Sequence, residues 1–124
     1  MEQDFLRLEG FTRDERHAMI SRVREALAAS NASILDFKMF SNVSLNILFE
    51  LPAPRIGELS AALAATNLRL SLESRELLTT RQKRYAEEAA DDGGSAQTEI
   101  AGSLHITFIH HDPDLRLEVP PIPG

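Results

Sequence analysis

An α+β fold is what this sequence predicts: one domain whose elements run β-α-β-β-α-β, followed by a further helix and strand. Three observations carry the prediction. Two segments of period-two apolar alternation lie on either side of Ser41-Asn42. Segments with apolar residues three and four apart stand before and after that pair, and another alternating run closes the unit by residue 75. Two right-handed crossovers sharing a hairpin are expected to close a four-stranded antiparallel sheet with both helices on one face.

Phe5 to Leu8 reads as a short strand ended by Glu9-Gly10. Thr12-Arg13-Asp14-Glu15 reads as a capping box, in which the Thr hydroxyl and Glu carboxylate satisfy free N–H groups at a helix start. Met19, Ile20, Val23, Ala26 and Leu27 then form the apolar stripe of a helix that ends near Ser30-Asn31. In the hairpin, Leu35, Phe37 and Met39 share one face, and Leu45, Ile47, Phe49 and Leu51 share one face of the next strand. Pro52-Ala53-Pro54 ends that strand, with Pro54 in the first turn of a helix buried through Ile56, Leu59 and Leu63. Leu68, Leu70 and Leu72 alternate with Arg69, Ser71 and Glu73 as a fourth strand.

The remainder, residues 76–124, reads as an extension of the 1–75 core. It holds a charged helix over 77–90 with Leu78, Tyr85 and Ala89 inward, and a loop at Asp91-Asp92-Gly93-Gly94-Ser95. A fifth strand follows, with Leu104, Ile106 and Phe108 on one face, and is expected to pair with a sheet edge of its own or a partner subunit. Leu115, Leu117 and Val119 alternate again before the Pro-rich end at 120–124.

Composition narrows the function. The sequence has no cysteine, so disulfides and thiolate chemistry are excluded and a cytoplasmic setting is the expectation. Met1-Glu2-Gln3-Asp4 lacks the positive charge of a signal peptide, and no apolar run reaches the ~20 residues of a membrane helix. A net charge of -6 repels phosphate backbones, so no nucleic-acid partner is expected. The basic run Arg81-Gln82-Lys83-Arg84, followed by Glu87-Glu88, reads as a solvated helix face.

Glu15-Arg16-His17-Ala18-Met19, the helix after it, and Asn31-Ala32-Ser33-Ile34-Leu35-Asp36 together resemble the ACT domain. The resemblance spans roughly residues 5–73 and implies a ferredoxin-like sheet, homodimers, and allosteric binding of an amino-acid-like metabolite at a subunit interface. It implies a ligand site at the turn of Thr12, Arg13, Asp14, Glu15, Arg16, His17 and Ala18, with Arg13, Arg16 and the helix N-terminus holding the ligand's carboxylate. His17-Ala18 stands where the family pattern has Pro-Gly, and the Ala18 methyl narrows the approach to the backbone. That departure favours the alternative, an interaction and oligomerisation module of the same fold that has lost its ligand.

Neither a Gly-x-Ser-x-Gly elbow nor a Gly-rich phosphate loop occurs, so no enzymatic activity and no cofactor are expected. His110-His111-Asp112-Pro113-Asp114 carries metal-ligand side chains, but neighbouring His residues on a strand point to opposite faces. The plainer reading is a polar turn initiated by Asp-Pro.

Overall fold

The computed structural model describes residues 5–41, 43–92 and 99–109. Strand β1 is Leu6–Thr12, helix α1 Arg16–Ala29, strand β2 Ser33–Ser41 and strand β3 Ser44–Pro52. A 3-10 turn at Ala53–Arg55 leads into α2 (Ile56–Ala64); then come β4 (Arg69–Leu70), α3 (Leu72–Asp92) and β5 (Glu99–Phe108). The result is an α+β fold with a five-stranded mixed sheet in the order β2-β3-β5-β1-β4.

The fifth strand is the main correction. It does not join an edge: β5 enters the middle, antiparallel to β3 and parallel to β1. The closed four-stranded antiparallel arrangement is therefore absent, and β1 and β3 are held apart by the last strand of the described residues. The physical reason lies in its sequence. Ile100, Leu104 and Ile106 are fully buried, and Phe108 and Ser103 nearly so. A strand this apolar is stabilised most where it has neighbours on both sides and helices above it. Gly102 fits the same place: a Cβ there would lie 2.8 Å from the Leu6 carbonyl oxygen and 2.8 Å from the Phe49 ring. Its missing side chain is what lets Phe49 lie across the central strands.

One face of the sheet is the core. Leu6 and Leu8 of β1, and Leu45, Ile47, Phe49 and Leu51 of β3, are fully buried with Met19 and Val23 of α1 and Leu59 and Leu63 of α2. Leu78 and Tyr85 of α3 join the same cluster. Asn31 and Asn67 take φ of 67° and 75° after α1 and α2, the left-handed cap that asparagine tolerates.

Other boundaries move for local reasons. Glu9-Gly10 does not end β1, which continues to Thr12 alongside β5. β4 shrinks to two residues because Ser71 caps the next helix: its Oγ accepts from the Ser74 N–H at 3.1 Å, and its carbonyl accepts from Arg75 N. Leu72, expected inward on a strand, opens α3 and is 61% exposed. Asp91 and Asp92 end α3 rather than belonging to a loop. No described helix is long and apolar enough to cross a membrane.

Candidate functional site

The expected ligand site runs from the last residue of β1, through the turn, into the first turn of α1, and the structure distributes its residues among different tasks. Thr12 is buried as the last residue of β1, and its Oγ1 accepts from the Asp14 N–H at 3.0 Å. It does not cap the helix. Glu15 does so with its own carboxylate, accepting from the N–H groups of His17 and Ala18, each at 2.9 Å. Those two backbone hydrogen bonds hold the Glu15 carboxyl below its ordinary range. The capping box thus gives way to a single-residue cap three positions later, and the donors expected to meet a ligand carboxylate already meet Glu15.

Asp14 turns inward to the scaffold. Its Oδ2 accepts from Arg22 at 2.6 Å and from the Asn67 side chain at 3.0 Å, while Arg22 Nε donates to the Thr66 carbonyl at 3.1 Å. This bridge ties the β1–α1 turn to the connection between α2 and β4. Sequence reasoning missed Arg22, whose partner lies eight residues back and whose second contact lies 44 residues on. Arg13 and Ala18 are exposed.

Arg16 and His17 instead face a groove of about 550 Å³ between α1 and β2. Its other wall is apolar, from Ile20 of α1 and Phe37, Met39 and Phe40 of β2. The Arg24 guanidinium lies over the Phe37 ring at 4.7 Å from its centroid and braces β2 against the helix. Periodicity places Leu35, Phe37 and Met39 on one face, which would be the inward one; Phe37 is only half-buried, and Leu35 and Met39 are 51% and 41% exposed.

β2 as a whole is the outer strand and, apart from Phe37, is exposed along its length. Ile34, Leu35, Met39 and Phe40 present an apolar edge, continued by Val43 beyond the strand. Register irregularities fall between Ile34 and Asp36 and between Met39 and Ser41, leaving a regular ladder at residues 36–39. The first of them leaves Leu35 without a partner on β3, and Leu35 is 51% exposed.

The open face of the sheet is mixed in character. The ladder lines up Lys38, Asn46, His105 and Glu9 across four strands. Phe40 and His105 also approach on this face, with ring centroids 6.1 Å apart. Among the described residues no group of His, Asp and Glu side chains is arranged to hold a metal. His110, His111 and Asp112 lie outside the described residues, as do the expected loop at 93–95 and the alternating run at 115–119. Compared with family models, curated proteins and solved structures, the chain finds no match in any of the three.

Proposed function

We propose that this chain is a non-enzymatic interaction and oligomerisation module that forms a homodimer by pairing β2 with β2 of a second copy. The observation that carries the reading is the combination in β2 of a backbone edge left unpaired among the described residues with exposed Ile34, Leu35, Met39 and Phe40. Such an edge is a template for another strand, and pairing with a second copy satisfies its backbone groups and covers its side chains together.

A two-fold axis at Phe37 suits the charges of the regular stretch. Antiparallel pairing about that point sets Asp36 against Lys38 of the partner subunit, and the symmetry repeats the pair. The resemblance to the ACT family supports the same reading. With β5 set aside, the remaining strands keep the order β2-β3-β1-β4, the sequence of neighbours in a ferredoxin-like sheet.

Mass measurement by light scattering tests the reading, on the wild-type chain, Lys38→Asp, and the swapped pair Asp36→Lys/Lys38→Asp. The wild type and the swap are expected to be dimers, with the single variant dissociating about tenfold more readily. A wild-type monomer at every concentration, or a single variant as dimeric as the wild type, overturns it.

A second reading keeps the small amino-acid-like ligand and places it in the groove beside that edge, where Arg16 and His17 face Phe37 and Met39. A thermal-shift screen of the twenty amino acids checks it: a stabilising amino acid must lose its effect in Arg16→Ala.

A further inference from the structure

A second cavity, of about 600 Å³, opens at the far side of the sheet from β2, between α2 and α3 above β4. Leu68 and Leu78 supply apolar wall, Ser60 and Thr79 supply hydroxyls, and Arg69 and Arg75 supply two guanidinium groups. No carboxylate lines it, although the chain carries 19 acidic residues against 13 basic ones. In a molecule whose overall field repels anions, this cavity is locally cationic.

Both arginines stand on well-fixed backbone. Arg69 is paired with Phe11 across β4 and β1. Arg75 lies in the first turn of α3, whose start is doubly anchored to β1. Ser71 N–H donates to the Glu9 carbonyl at 2.9 Å, and Ser74 Oγ accepts from the Glu9 N–H at 2.8 Å. Among the described residues neither guanidinium enters an ion pair, whereas Arg22 and Arg55 are matched with Asp14 and Glu58. Arg75 also shares the first turn of α3 with Glu73, at the end of the helix where the dipole by itself disfavours a cation. An anion bound between the two arginines relieves both conditions.

The volume falls in the ~300–1,000 Å³ range of small-molecule sites. A guanidinium fork matches a carboxylate in two parallel hydrogen bonds, and the leucine wall suits an apolar body attached to it. We propose that this cavity binds a small carboxylate with an aliphatic or aromatic body, at a site separate from the β1–α1 turn and from the β2 edge.

The test is nuclear magnetic resonance titration of the full chain with hexanoate and benzoate, using benzyl alcohol and acetate as controls. The expected result is saturable shifts of the Arg69 and Arg75 side-chain signals and of Leu68 and Leu78 methyls with hexanoate or benzoate. Benzyl alcohol and acetate should shift them at least about tenfold less at equal concentration. Arg69→Gln/Arg75→Gln, both exposed positions, should abolish the shifts, and Arg13→Gln should leave them intact. Equal shifts with acetate, shifts that survive the double substitution, or no saturable shift with either probe overturns the proposal. Because the readout is local to this cavity, its outcome is independent of whether β2 pairs with a second copy.

Discussion

β2 and β3 are neighbours in one hairpin and equally apolar by sequence, yet they live in different environments. Leu45, Ile47, Phe49 and Leu51 of β3 are fully buried, while Ile34, Leu35 and Met39 of β2 are more than a third exposed. Period-two alternation says which side chains share a face; it does not say whether the strand is central. β3 is central because β5 closes its second edge, and β2 is outermost because no strand of the described chain follows it. The apolar residues of β3 are accounted for by the core. Those of β2 stay outside the core, on the edge where the proposed pairing would cover them.

The largest break in that contrast comes from removing β5. Deleting residues 99–124 takes out the middle of the sheet, so circular dichroism should show loss of the cooperative unfolding transition. Had β5 covered only an edge, the truncated chain would keep its transition. A smaller break is Gly102→Val, which forces a side chain into the space held by Phe49 and the Leu6 backbone. Urea denaturation should show a loss of about 3 kcal/mol.

The same measurement on β2 sharpens the comparison from the other side. Leu35→Ser and Phe40→Ser should each change the subunit's own stability by only about 0.5 kcal/mol, as exposed positions do. Both should nevertheless shift the light-scattering mass toward the monomer. The smallest effect belongs to Glu15. Its carboxyl is held below the ordinary range, so its contribution is present above its unfolded-state value and fades as pH falls through the folded one. Glu15→Gln should therefore lower the melting temperature slightly at neutral pH, and the difference from wild type should vanish in acid.

Much of the fold was legible because it is local. The stripes Met19-Val23-Leu27 and Ile56-Leu59-Leu63, the inward face of β3 and the helix end at Asn31 all stand where their spacing put them. What escaped is non-local. No feature within residues 99–108 names β1 and β3 as its neighbours, and Gly102 acquires meaning only once Phe49 lies over it. At the turn, Thr12 and Glu15 have the capping-box spacing, but the pairing of β1 with β5 carries Thr12 into the strand and leaves Glu15 to cap alone. Alternation makes Ser71 the outward residue of a strand, though a serine ahead of Leu72-Glu73-Ser74 is also a helix start, and the structure uses it as one. The grouping of Arg69 and Arg75 could not be read from spacing, since one stands on a strand and the other on a helix.

Amide hydrogen exchange across a dilution series tests the contrast between central and edge strands most directly. Amides of β5 should be protected equally at every concentration, and amides at residues 36–39 should gain protection as concentration rises. β5 exchanging as fast as β2, or β2 protection that ignores concentration, would contradict the account.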